Sequence, residues 1–209
     1  MKNKGLKTKN IVVLFVLTVL LSACSELFSP TKIYSPEAIS TLATDLKRLS
    51  EDYLIEDVQI LEKDNFSGNF GDVAIHMRDK EGRLYFQSLY YNMNIPHYGP
   101  DQRARTPKGG LPHAINIEDI VNRKDDFGKY AEAAKVQFKE EFESDYKFKS
   151  IGKLQFNADK SGELQLQISI FATEKGKATT RQEGRRIVTD YYEFIFNIDK
   201  NGTVIYKGD

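Results

Sequence analysis

The chain has 209 residues, with 30 basic and 30 acidic side chains and therefore a formal net charge of zero. It lacks the basic excess that a general nucleic-acid-binding protein needs for a positively charged face. A single cysteine excludes an intramolecular disulfide, while 13 Phe and 11 Tyr supply apolar material for a core. The length fits one domain or two small ones.

The first 24 residues carry a targeting pattern. Lysines at positions 2, 4, 7 and 9 precede an apolar run over 11–21 that is interrupted only by Thr18. This run is too short to span a bilayer, which takes about 20 apolar residues. It has the length expected for the central region of a secretory signal. The small residues Ser22 and Ala23 follow it, and the lone cysteine, Cys24, comes directly after them.

The motif Leu21-Ser22-Ala23-Cys24 resembles the lipobox of bacterial lipoproteins. The resemblance implies a signal peptide over residues 1–23, its removal, and acylation of Cys24 with fatty acids such as palmitate. Two or more acyl chains anchor a protein stably, at about 0.8 kcal/mol per buried methylene. We therefore expect a cell-envelope protein held on a lipid bilayer by Cys24, on the periplasmic side of the outer membrane if the host is Gram-negative. A secreted protein with a free Cys24, or a cytosolic protein with a buried N-terminus, is the alternative.

Residues 24–33 show no periodicity and predict a tether, and residues 34–209 predict a single α+β domain. Ser35-Pro36 predicts a helix start, with a hydroxyl N-cap before a proline in the first turn. Asn116 predicts the cap of a short helical turn, and Asp125 or Asp126 predicts the cap of the longer helix that follows. Two amphipathic helices are indicated by apolar residues at helical spacing. These residues are Ile39, Leu42, Leu46, Leu49 and Tyr53 in the first helix and Phe127, Tyr130, Ala131, Ala134, Phe138 and Phe142 in the second.

Alternating apolar and polar residues predict strands over 57–62, 72–78, 83–93, 153–158, 163–172, 187–198 and 203–206. Three connections share the pattern Asp-Lys-x-Gly, beginning at Asp79, Asp159 and Asp199, and this pattern suits a tight hairpin loop. Repeated hairpins predict antiparallel meander sheets. The stretch around Asp199 also matches the first half of an EF-hand calcium loop, but Gly208 stands where that loop needs Glu. We therefore prefer a hairpin turn there and assign no metal.

Residues 94–114 are rich in proline and glycine and predict a loop without regular elements. The loop joins two halves, 34–94 and 115–209, which a pseudo-duplicated helix-plus-strands unit would explain. Long loops often bind partners, and a plain linker is the alternative. The candidate partner-binding residues are His97, Tyr98, Arg103, Arg105, Lys108 and His113 in the loop, with Tyr85 and Tyr91 from the strand before it.

Catalytic motifs are not evident in the sequence. It contains no Gly-x-Ser-x-Gly elbow, no phosphate-loop spacing and no histidines at zinc-ligand spacing, so we assign no catalytic residue and no cofactor. Two classes of function stay open. The first is an anchored protein that binds or helps assemble another envelope protein, which includes an immunity protein against an envelope toxin. The second is an envelope hydrolase that uses scattered acids or histidines in a cleft beside residues 94–114.

Overall fold

The computed structural model describes residues 31–92, 95–98, 102–103, 113–183 and 186–208. The helices are α1 (Pro36–Leu49), α2 (Ile117–Asn122) and α3 (Phe127–Phe142). The strands are β1 (Leu54–Glu62), β2 (Phe70–Arg78), β3 (Leu84–Asn92), β4 (Ile95–Tyr98), β5 (Gln102–Arg103), β6 (Tyr146–Ala158), β7 (Leu164–Glu174), β8 (Thr180–Glu183), β9 (Arg186–Thr189), β10 (Tyr192–Ile198) and β11 (Val204–Tyr206). None of these three helices has the length and apolar content needed to cross a membrane.

Nine strands form one sheet in the order β11-β10-β7-β6-β1-β2-β3-β4, with β5 paired to β3 on the same side as β4. Neighbouring strands are antiparallel. The prediction of a mixed α and β fold built on antiparallel strands is confirmed. The two predicted halves share this sheet, because β1 pairs with β6 from Asp57 opposite Asn157 to Leu61 opposite Lys153. The structure therefore has one continuous sheet, whereas the hairpin pattern predicts separate meander sheets.

Helices α1 and α3 contact strands of the sheet through buried side chains. On α1, Ile39, Leu42 and Leu46 are fully buried, as their helical spacing predicts. On α3, Phe138 contacts Phe194 of β10, with ring centroids 5.0 Å apart. Residues from the helices and from the facing side of the strands belong to one core. We call the opposite side of the sheet the open face, because no helix of the described chain covers it.

Local side-chain chemistry sets two of the helix starts. The Ser35 hydroxyl accepts a hydrogen bond from the Ala38 N–H at 3.2 Å, and Pro36 is the first residue of α1. The Asn116 side chain accepts from the Glu118 N–H at 3.1 Å at the start of α2. Each bond satisfies an N–H that the first turn of a helix leaves without an intrahelical partner. The caps predicted at Ser35 and Asn116 are confirmed, whereas Asp126, at the cap position of α3, makes no side-chain capping hydrogen bond.

The three Asp-Lys-x-Gly turns are built alike. In each, the glycine N–H donates to the aspartate carbonyl at 3.0 Å, and the aspartate carboxylate accepts from the N–H groups two and four residues further on. Gly82, Gly162 and Gly202 have φ of 81°, 86° and 83°, a left-handed conformation that glycine adopts without steric cost. The hairpin prediction is confirmed at all three turns. They lie at one end of the sheet, which we call the turn end.

The chain enters the described fold at the opposite end, the entry end, where β1 leads into β2. The Phe70 N–H donates to the Thr31 carbonyl at 2.7 Å, and Lys32 forms a bridge with Asn69. Ile33 is fully buried. Residues 31–33, the last three of the predicted tether, thus pair with residues distant in sequence, a contact that leaves no local periodicity.

Two short strands, β4 and β5, lie within residues 94–114, so the prediction that this passage has no regular element is wrong. Pro96 pairs with Tyr91 in the backbone register. Proline is tolerated because β4 ends the strand order of the described sheet, where a missing N–H breaks no ladder. The strand predicted over 187–198 is also divided, since β9 pairs with β8 in a separate hairpin and β10 begins at Tyr192.

Candidate functional site

The open face carries a row of amide side chains across four neighbouring strands. Gln59 on β1 pairs with Gln155 on β6, Gln155 with Gln167 on β7, and Gln167 with Asn197 on β10. Directly opposed residues of antiparallel strands have Cβ atoms about 4.5–5.5 Å apart, so the four residues form a continuous polar line. All four are half-buried, and each amide offers both a donor and an acceptor.

The carboxylate of Asp57 orients this part of the row. Its Oδ1 accepts from Gln155 Nε2 at 2.6 Å, and its Oδ2 accepts from Gln59 Nε2 at 2.9 Å. The same Oδ2 lies 3.2 Å from Nδ1 of His76, and the hydrogen bond between them raises the pKa of His76 against the opposing effect of partial burial. His76 in turn packs against Phe86, with ring centroids 5.3 Å apart. Asp57 thus holds two glutamine amides in defined orientations.

Further along the open face, Lys153 and Glu193 form an ion pair with each other. Lys153 Nζ lies 2.5 Å from Oε1 of Glu193, and the Ser169 hydroxyl donates to the same oxygen at 2.7 Å. Because Lys153 pairs with Glu193 and the Asp57 carboxylate accepts hydrogen bonds from its neighbours, the centre of the face presents mainly hydrogen-bonding groups. Such a surface suits a partner with polar groups and no strong charge.

An aromatic cluster lies where the open face meets the entry end. The Tyr191 ring contacts the rings of Phe171 and Phe66, with centroids 4.7 and 5.9 Å away. Tyr191 is 48% exposed. Lys149 Nζ lies 5.7 Å from the centroid of the Phe66 ring, within the range of a cation–π interaction. The cluster therefore combines exposed aromatic area with a cation.

A cleft of about 570 Å³ opens at the turn end. Its lining includes Asp119, Asn122, Arg123, Glu163, Gln165, Asp199 and Asn201. The Arg123 guanidinium is held in place, since Nη2 donates to the Asp199 carbonyl at 3.2 Å and the group lies 5.8 Å from the Tyr130 ring centroid. Backbone hydrogen bonds, first among them that from Thr203, lower the pKa of the Asp199 carboxyl. Among the residues that the structure describes, no three His, Cys, Asp or Glu side chains are grouped to hold a metal ion.

The loop residues predicted to bind a partner are placed only in part. Cys24, Arg105 and Lys108 lie outside the described residues. So do most of residues 94–114, beside which the hydrolase cleft is hypothesised. In the backbone register at the sheet edge, His97 pairs with Tyr90, Tyr98 with Leu89, and Arg103 with Tyr85. His113 is exposed just before α2.

The two strand tyrosines of the predicted set lie on the side of the sheet that the helices cover. Tyr91 is 5% exposed, and its hydroxyl donates to Oδ2 of Asp45 on α1 at 2.7 Å. Burial and this hydrogen bond raise the pKa of Tyr91. Tyr85 is half-buried and packs against Tyr53, with ring centroids 5.5 Å apart. Tyr91 therefore belongs to the buried core, whereas its neighbour Tyr90 on β3 is 36% exposed.

The sequence patterns did not identify the amide row or Phe66 as candidate functional residues. Gln165 and Gln167 alternate with leucines, which places them on the polar face of their strand, but the residues beside them depend on strand register. Phe66 gives no sequence signal, because a positive φ is expected of glycine or asparagine and not of phenylalanine.

Comparisons of the chain with protein-family models, with curated proteins and with solved structures give no match.

Proposed function

We propose that this protein is a lipid-anchored component of the bacterial cell envelope whose open face binds, or helps assemble, another envelope protein. The anchor is Cys24, through the lipobox-like motif. The binding surface is the amide row with its ordering carboxylate. The proposal includes an immunity-type role, in which the bound protein is a toxin.

The observation that carries the binding role is the accessible, preorganised row on the open face. Gln59, Gln155, Gln167 and Asn197 lie in register and are half-buried. Asp57 already orders two of these amides, so less side-chain freedom is lost when a partner binds. The paired charges around them favour recognition by hydrogen bonds.

The placement of the two ends of the sheet supports the anchored role. Thr31, seven positions after Cys24 in the sequence, lies at the entry end, where its carbonyl accepts from the Phe70 N–H. The three hairpin turns and the cleft lie at the turn end. An anchor that attaches at the entry end leaves the turn end and the length of the open face for a partner.

Site-specific photocrosslinking in intact cells tests the binding surface. A photoreactive amino acid at Gln167 should give one discrete adduct with an envelope protein. The same reagent at Val136, which is 52% exposed on α3, is the matched control and should not give that adduct. In the Gln167 background, Asn197→Ala should weaken the adduct. Equal adducts from both positions, or none from Gln167, would contradict binding through the open face.

The anchor is tested separately by Cys24→Ala with metabolic labelling by a fatty acid. We expect loss of the label and release of the protein from the membrane fraction. A variant that stays labelled and membrane-bound would overturn the anchor without bearing on the open face.

A further inference from the structure

We propose that the aromatic cluster of Phe66, Phe171 and Tyr191, together with Lys149, contacts the bilayer interface and orients the domain on the membrane. This inference rests on the proposed anchor at Cys24. It assigns the cluster a lipid surface as its partner and leaves the amide row to the protein partner.

The backbone of Phe66 is held in an unusual conformation. Its φ is +64°, the one positive value outside glycine in the described chain. The Glu62 carboxylate maintains the loop, with Oε1 accepting from the Phe66 N–H at 2.8 Å and Oε2 from the Gly68 N–H at 2.7 Å. Glycine at this position would fold without strain. A phenylalanine kept in a strained conformation points to a role for its ring beyond forming the turn.

The neighbouring strands make room for the other two rings. A Cβ on Gly152 of β6 would lie 2.2 Å from ring atoms of Phe171, so the absence of a side chain there lets Phe171 lie flat over the strand. Tyr191 then packs on Phe171 and stays 48% exposed. The result is a set of aromatic rings at the surface, where large apolar groups are usually scattered singly.

The same region carries lysines. Lys149 lies over the Phe66 ring, and Lys32 Nζ donates to the Ser67 carbonyl and to Asn69 Oδ1, at 2.8 Å each. Lys63 is exposed in the same loop. Aromatic rings with adjacent lysines are the composition of proteins at membrane interfaces, where amphipathic rings sit at the headgroup level and lysines extend toward phosphates.

The chain itself brings this surface to the membrane. Residues 31–33 hydrogen-bond to residues 68–70, directly after Phe66. Only six residues lie between Cys24 and Thr31. The seven steps of chain between these two residues span at most about 3.5 Å each when extended, so acylated Cys24 would hold Thr31 within about 25 Å of the bilayer. The cluster adjoins this entry point, because Phe66 lies in the loop whose residues 68–70 bond to residues 31–33. The lipid bilayer is therefore its partner.

Tryptophan fluorescence tests the inference cleanly, because the chain contains no Trp. The full chain, purified with its own acyl groups, is reconstituted into vesicles of phosphatidylcholine and phosphatidylglycerol that contain brominated lipids. Tyr191→Trp should show a blue shift and quenching in these vesicles. Ile205→Trp, at a site that is 52% exposed at the turn end, is the matched control and should show neither. In the Tyr191→Trp background, Phe66→Gly should reduce the quenching while keeping the loop, since glycine accepts the positive φ.

Two failures can be told apart by vesicle flotation. If the protein floats with the vesicles but the two tryptophans are quenched equally, or neither is quenched, the membrane-facing cluster is refuted and the anchor stands. If mass spectrometry finds Cys24 without acyl groups and the protein does not float, the proposed anchor fails, and this inference fails with it.

Discussion

Removing the hydroxyl of Tyr91 should destabilise the fold by an amount that the structure allows to be estimated. The hydroxyl donates to Oδ2 of Asp45 at 2.7 Å, and both residues are buried, at 5% and 8% exposure. A hydrogen bond to a charged group contributes about 1.5–3 kcal/mol to the free energy of unfolding. Tyr91→Phe keeps the ring and opens no large cavity, and Arg48 stays 3.6 Å from Oδ1 of Asp45. We therefore expect the lower part of that range, about 1.5–2 kcal/mol.

Thermal and denaturant unfolding of the purified protein measure this loss. In a chain of this length, 1 kcal/mol corresponds to a Tm change of about 2–4 °C, so Tyr91→Phe should lower the Tm by roughly 3–8 °C. Tyr85→Phe is the control, because Tyr85 lies on the same side of the sheet and contacts Tyr53 through its ring. Partner crosslinking should persist in Tyr91→Phe. Equal loss in both variants, or a loss below about 0.5 kcal/mol for Tyr91→Phe, would refute a buried charge-assisted bond.

Three further changes test local features. Gly152→Ala should destabilise by about 1–3 kcal/mol, because its Cβ would meet the Phe171 ring at 2.2 Å, and Phe171→Leu in the same chain should recover part of the loss on denaturant unfolding. Asp57→Asn should lower the pKa of His76, followed by NMR titration, since the hydrogen bond that His76 donates to the Asp57 carboxylate raises it. We expect the pair of Asp57 and His76 to stabilise the fold by about 0.2–1 kcal/mol, the range for an exposed pair. This stabilisation is fully present below about pH 6.5 and is lost as the pH rises through the raised pKa of His76. Gly162→Ala should cost about 1–2 kcal/mol, measured by thermal unfolding, because φ there is 86°.

Matched variants separate these causes from general damage. Gly128→Ala, at a helical glycine with open space around its Cβ position, should be neutral or stabilising, and a loss equal to that of Gly152→Ala would argue against a steric cause. Gly162→Asn should cost less than Gly162→Ala, because asparagine tolerates the left-handed region better. An unchanged His76 titration in Asp57→Asn would mean that the pair does not form in solution.

Features encoded within a few residues could be predicted from the sequence. The Ser35 and Asn116 caps and the three Asp-Lys-x-Gly turns depend on a side chain that bonds to backbone groups at most four residues away. The buried stripes of α1 and α3 follow from helical periodicity, and the antiparallel strands from alternation and short turns. The lipobox-like motif is also local, so the predicted anchor at Cys24 stands on sequence alone.

Features that join distant segments were settled only by the tertiary structure. Pairing of β1 with β6 brings Gln59 beside Gln155 and makes one sheet of two predicted halves. Which of the adjacent Tyr90 and Tyr91 is exposed depends on which side of the sheet the helices cover, and a strand pattern rich in tyrosine on both faces does not indicate that side. Register and the choice of covered face arise from contacts between segments far apart in the chain, so no local pattern contains them.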